Sequence, residues 1–123
     1  MTEPTIEQHI QDVGANVAPR ITPDDIKANI VSEHFFTAAD GAAGAAVDCS
    51  VFEIGPHDSP PALGLLTFCV LVLRNGFTVT GESACASPEN FNSEIGRRIA
   101  RENAVAKIWP LVGYELRSKL AGI

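Results

Sequence analysis

The side chains best suited to ligand chemistry lie near the C-terminal end, where Arg97, Arg98 and Arg101 fall on neighbouring turns of one helix-forming run, with Lys107 beyond them. Guanidinium forks match the geometry of oxyanions, so this cluster is a candidate site for a small phosphorylated ligand such as a nucleotide signal. Glu102 joins it as a fourth candidate contact. On a helical wheel Glu102 falls inside an apolar stripe, where a carboxylate is costly without a partner. Arg98, one turn earlier, supplies that partner, and a satisfied ion pair at the edge of the core is the simpler role. Most basic helix faces are merely solvated, and the same simpler reading applies to the arginines.

Catalytic signatures are absent. Ser83 and Cys85 in GESAC lack the G-x-S-x-G spacing of a nucleophile elbow, and the chain has no Walker lysine, Gly-rich phosphate loop or HExxH. His34 stands beside Phe35 and Phe36, the setting of a hydrogen-bonded, partly buried histidine rather than a base. No enzymatic activity is expected, and no catalytic residue is assigned. Cys49, Cys69 and Cys85 are odd in number and 20 and 16 residues apart, which fits neither a disulfide framework nor a CxxC motif. With His9, His34 and His57 they have no close metal-ligand spacing, so neither metal nor cofactor is expected.

The elements that must position these residues follow from patterning and caps. Thr22-Pro23-Asp24-Asp25 is a helix start, with a capping threonine, a proline in the first turn and acids opposing the dipole, and it predicts a helix over 23–38. The apolar positions Ile26, Ile30, Val31 and Phe35 form no single narrow stripe, which points to contacts on more than one side. The Gly/Pro-punctuated stretch 41–64 reads as loop, with a third strand at 46–53 and least order from Gly55 to Leu63. LLTFCVLVLRNGFTVTGESAC is a β-hairpin about Asn75-Gly76. A type I′ turn there pairs residue i with 151 minus i and puts Phe68, Val70, Val72, Phe77 and Val79 on the core side. Cys69 and Cys85 then lie on opposite faces.

In that register the first hairpin strand is apolar on both faces, so it needs cover beyond its own helix, from another chain segment or a second subunit. Leu71 and Leu73, on the second face, become candidate interaction residues together with Trp109 and Tyr114. A second start signal, Ser87-Pro88-Glu89, predicts a long helix over 88–109, whose stripe Phe91, Ile95, Ile99, Ala106 and Trp109 is expected to pack on the hairpin. Gly96 and Ala100 occupy a side where a backbone can approach closely. Pro110 ends or kinks this helix, and a shorter one follows, stopped by Gly122. The fold class is α+β: an antiparallel hairpin or three-stranded sheet against a long C-terminal helix, in one domain over 22–123 preceded by an arm or short helix over 1–21.

Composition bounds the partners. The chain has 123 residues, ordinary globular proportions and a net charge of −6, large enough for a core without staples. Residues 1–60 hold ten acidic and two basic side chains, whereas 97–119 hold six basic and two acidic. The simplest account places the acidic half near the basic segment, within one chain or between subunits. A sequence pI near 4.9 without basic runs argues against nucleic acid, although nucleic-acid binding stays as a further alternative with steep salt dependence as its mark. The acidic, polar N-terminus lacks a secretory signal, and no apolar run approaches membrane-span length, so a cytoplasmic protein is expected.

The segments LTFCVLVLRNGFTVTGESACASPENF and EIGRRIARENAVAKIWPLVGYELRSKL, with NGF, GES, PENF, EIG, KIWPL and GY in that order, resemble a small phage and prophage family. It is the family named for gene product 49 of a coliphage and gene 66 of a Shigella phage. The likeness is strongest over 63–121, and EHFFTAADG at 33–41 is similar to the upstream part of longer members. The resemblance implies a setting, an accessory phage product acting in the infected bacterial cytoplasm, and carries over no activity or site residue. The expected function is non-enzymatic binding to a host protein by a homo-oligomer, through an exposed apolar patch on the hairpin or the Trp109–Tyr114 end.

Overall fold

A computed structural model describes residues 3–48 and 60–123. The elements run α1 (Ile6–Asp12), α2 (Pro23–Asn29), β1 (Ile30–Thr37), α3 (Ala38–Asp48), β2 (Leu66–Leu73), β3 (Thr78–Ala84), α4 (Ser93–Ala106) and α5 (Ile108–Leu120), with short 3-10 turns at Pro61–Leu65 and Pro88–Asn90. The fold is α+β. Its sheet is antiparallel in the order β1-β2-β3, and α4 lies across one face.

Thr22 caps α2 as its sequence predicts: its hydroxyl accepts from Asp25 N–H, and the Asp25 carboxylate accepts from Thr22 N–H in return. The helix then stops at Asn29 instead of continuing to Ala38. From Ile30 the β-branched and aromatic run IVSEHFFT becomes the third strand, because pairing with β2 gives those side chains a pleated surface to pack on. The scattered apolar positions that fitted no helical stripe are a strand with a register irregularity between Ile30 and Ser32. The stretch after it, expected as loop, forms α3, opened by a capping exchange between Thr37 and Asp40. The strand expected at 46–53 is therefore overturned where it overlaps α3. Its remainder, and most of the Gly55–Leu63 stretch, lie outside the described residues.

The hairpin is present one residue out of the expected register. Gly76 N–H donates to the Leu73 carbonyl, Leu73 N–H donates to Phe77, and Gly76 adopts φ +88°. The loop thus has three residues, Arg74-Asn75-Gly76, with glycine in the left-handed position. Paired residues sum to 150, as in Leu71 with Val79 and Cys69 with Gly81. Because side chains alternate, this single step turns β2 over, whereas β3 keeps Val79 on the core side, as expected. Thr67, Cys69, Leu71 and Leu73 point under α4 and are buried, whereas Phe68, Val70 and Val72 point the other way and Phe77 is 56% exposed. Leu71 and Leu73 are core residues, which corrects their placement on an interaction surface. Cys69 and Cys85 come to share the helix side of the sheet, and both are free thiols.

The 3-10 turn takes up Pro88, and α4 starts later, capped by Asn92, whose side chain accepts from Ile95 N–H. It ends at Ala106, short of the expected Trp109. Its buried positions are Gly96, Ala100 and Ala104, the small side, and not the Ile95–Ile99 stripe. The reason lies in β3: a Cβ on Gly81 would overlap the Ala100 carbonyl and the Ala104 backbone, so helix and strand meet backbone to backbone. A Cβ on Gly96 would in turn crowd the Thr67 side chain. Bulky side chains on this side would hold the helix away. The core closes with Ile26 and Ile108 at one end of this contact.

On the opposite face, the Phe36 and Phe68 rings pack at a 33° tilt with centroids 5.6 Å apart, and Gly41 of α3 approaches Phe36. At the N-terminus, Arg20 clamps Glu7 of α1 with both terminal guanidinium nitrogens and holds its carboxyl down at about 2.

Candidate binding surface around α4 and α5

Lys107 breaks the helical run, and α5 restarts with Pro110 in its first turn, where no N–H is required. Ile108 is its single buried residue. Val112 packs against the core beside it, and four large side chains of the helix are left outward: Tyr114 is 76% and Trp109 39% exposed, and Leu111 and Leu120 are also exposed. A groove runs along each side of this first turn. One, of about 360 Å³, is lined by Pro23, Ile26, Lys27, Ile30, Arg101, Val105 and Trp109. The other, of about 240 Å³, lies between α5 and the hairpin tip and is lined by Asn29, Leu73, Asn75, Phe77, Leu111, Val112 and Glu115.

The arginines do not converge. Arg97 lines a small cavity of about 70 Å³ with Phe35, Phe36, Thr37, Asp40, Thr67 and Ser93. Arg101, one turn on, faces the first groove and forms a two-pronged ion pair with Glu33 of β1, at 2.9 and 3.0 Å. This contact is one intrachain link between the acidic N-terminal half and the basic C-terminal segment. The guanidinium holds the Glu33 carboxyl below its ordinary range. Arg98 is on a different side of α4 and bonds Glu102 at 3.4 Å. The expected pair is therefore present, in solvent and away from the core edge. A phosphate drawn to Arg101 would compete with Glu33.

His34 sits on the sheet face turned from α4, with its Nε2 3.0 Å from Ser32 Oγ. Burial pushes the Cys69 thiol up, which keeps it protonated and inert. Cys85 donates its thiol to the Ser87 carbonyl at 3.2 Å. Among the described residues no three His, Cys, Asp or Glu side chains gather to hold a metal, and no helix is long and apolar enough to cross a membrane.

The sequence pointed to Trp109 and Tyr114 but not to their neighbours Lys27, Phe77 and Leu111. Lys27 was hidden by the unrecognised end of α2, which brings it beside the groove. Phe77 was hidden by its place at the hairpin end: it shares the side of Leu73 and Val79 but is left exposed there. For Leu111 the signal was available: apolar residues lie on several sides of IWPLVGYELRSKL, more than one contact face can cover.

Neither the curated proteins nor the solved structures contain a match to this chain. The model of the phage protein family described as N4 Gp49/phage Sf6 gene 66 does match, over residues 21–120. That span runs from the residue before the α2 cap to the last residue of α5, taking in the whole sheet, α4 and the exposed helix end. The chain belongs to this phage protein family.

Proposed function

We propose that this phage protein is a non-enzymatic binding protein that engages a host protein in the cytoplasm of the infected bacterium through the α5 end. The observation that carries the reading is the exposure of Trp109, Leu111 and Tyr114 on a helix with one buried residue. A helix gains most of its stability in a protein by burying an apolar face, and exposed aromatic residues are the side chains that most often anchor a protein interface. The grooves on either side add depth for a partner's side chains. The test is quantitative affinity capture from a bacterial host lysate with the intact protein and with a Trp109→Ala/Tyr114→Ala variant. A host protein retained by the first, lost by the second and retained by an Arg97→Ala control supports the reading. Equal capture by both removes α5 from it.

A second reading is favoured by one feature, the placement of Lys27 and Arg101 beside Trp109 in the larger groove. Two cations next to an aromatic ring suit a small phosphorylated ligand with a flat base, such as a nucleotide signal. Calorimetry against linear and cyclic nucleotides tests it. Binding that Arg101→Ala abolishes supports it, and no heat from any of them ends it.

A further inference from the structure

Two helices begin beside the same small cavity. β1 runs directly into α3 at Ala38, and α4 starts at Ser93 behind its Asn92 cap. The cavity, of about 70 Å³, has Thr37, Asp40, Thr67, Ser93 and Arg97 in its lining, with Phe35 as an apolar wall. Thr67 is the residue that the fold alone does not explain. Among the described residues it is the one buried polar side chain, 3% exposed, in a helix-side row that otherwise reads Cys69, Leu71, Leu73.

Among the described residues the Thr67 hydroxyl has no hydrogen-bond partner. Its cross-strand neighbour Thr37 uses its own hydroxyl to accept from Asp40 N–H. Gly96 lies above, where a Cβ would come within 3.0 Å of Thr67 Oγ1, so the hydroxyl sits under the first turn of α4 with no side chain from Gly96 over it. A buried hydroxyl without a partner is costly, and valine would fill the same space. The charges beside it are opposite and apart. Among the described residues Arg97 pairs with no carboxylate. Asp40 takes the Thr37 N–H on Oδ2, which leaves its other oxygen open.

We infer that this cavity binds the head group of a small α-amino acid. The ligand carboxylate is held by the Arg97 guanidinium and by the Ser93 and Thr67 hydroxyls, and its ammonium by the second oxygen of Asp40. Size and charge select this class. One water needs ~10–15 Å³ of such space, so the cavity admits several small groups but no nucleotide. A guanidinium and two helix starts draw a carboxylate. Asp40 repels a phosphate dianion and supplies the counter-charge for an ammonium. The site shares no lining residue with the grooves beside α5 and is independent of both readings of them.

NMR titration of the full chain with glycine, L-alanine, acetate, methylammonium and inorganic phosphate tests this. Glycine and alanine are expected to shift the Thr67 and Gly96 amide signals saturably, with Kd of ~0.1–1 mM. The other three are expected to bind ~10-fold or more weakly than these, since each answers one charge only. Arg97→Gln is expected to weaken glycine binding by ~10-fold or more. Asp40→Asn keeps an oxygen for the Thr37 N–H and is expected to bring glycine down to the affinity of acetate. Thr67→Val is expected to weaken glycine binding while leaving the denaturant midpoint of the unliganded chain unchanged or higher. A lowered midpoint would show that the hydroxyl already has a partner in the fold, and overturns the inference. So do phosphate or acetate binding as tightly as glycine, normal glycine binding by Arg97→Gln, and the absence of any saturable shift, which would leave the cavity to water.

Discussion

α4 and α5 come from one nearly continuous helical run and are used in opposite ways. α4 buries its smallest residues, Gly96, Ala100 and Ala104, and leaves Ile95 and Ile99 outside. α5 buries Ile108 and leaves most of its bulky residues in water. The contrast shows that side-chain size alone does not determine what faces the core. Where a strand offers a glycine, as β3 does at Gly81, the helix gains more by close backbone approach along its small side than by inserting isoleucine. The helix that lacks such a seat keeps its apolar residues for something else.

The largest expected effect breaks the α4 seat. Gly81→Leu forces α4 off the sheet and is expected to destabilise by ~3 kcal/mol or more, read as a drop in the denaturant midpoint. Leu71→Ala leaves a cavity under the same helix and is expected to cost ~3 kcal/mol. Gly113→Ala is the matching change in α5, where an added Cβ meets nothing within 4 Å. It is expected to stabilise by ~0.5–1 kcal/mol through helix propensity. If the two glycine substitutions shift the midpoint in the same direction, the contrast between the helices fails.

Smaller effects sharpen the comparison. Tyr114→Ala is expected to change stability by no more than ~0.5 kcal/mol while reducing host-protein capture, a separation that a packed residue would not give. The Arg101–Glu33 link ties α4 to β1, and its pH dependence has a defined sign. The Glu33 carboxyl titrates below its ordinary value of 4.5 in the folded chain. Its contribution is therefore fully present above that value and is lost as pH falls through the lowered one. Both groups are about a third exposed, so the contribution is within ~1 kcal/mol. Arg101→Gln is expected to return the Glu33 midpoint towards 4.5, measured by NMR titration of its carboxyl carbon. An unchanged midpoint would show that Arg101 does not hold it down.

Much of the fold was legible because it depends on local chemistry. Thr22, Pro23 and Asp25 cap α2 through contacts within four residues of chain, the apolar run 66–73 extends and pairs, Asn75-Gly76 turns the chain, and Gly122 takes φ +78° where the last helix stops. The binding candidates Trp109 and Tyr114 were legible for a related reason, since they lie in a helix whose apolar residues no single face can bury. The arginines were less legible: their spacing showed that they share a helix, but their directions depend on which side of that helix meets the sheet.

By itself, the sequence determined the local punctuation, the α+β class, the hairpin, the terminal helices and the phage family. Tertiary structure decided what local signals cannot encode. IVSEHFFT became a strand because β2 offered it a paired edge, and propensity yields to such a partner. One residue of hairpin register, set by whether the loop holds two residues or three, decided that Leu71 is core and that Phe68, Val70 and Val72 turn to the other face. The side α4 turns inward was decided by Gly81, in a different element: a helical wheel records which residues share a face, and only the surface packed against it decides which face is buried.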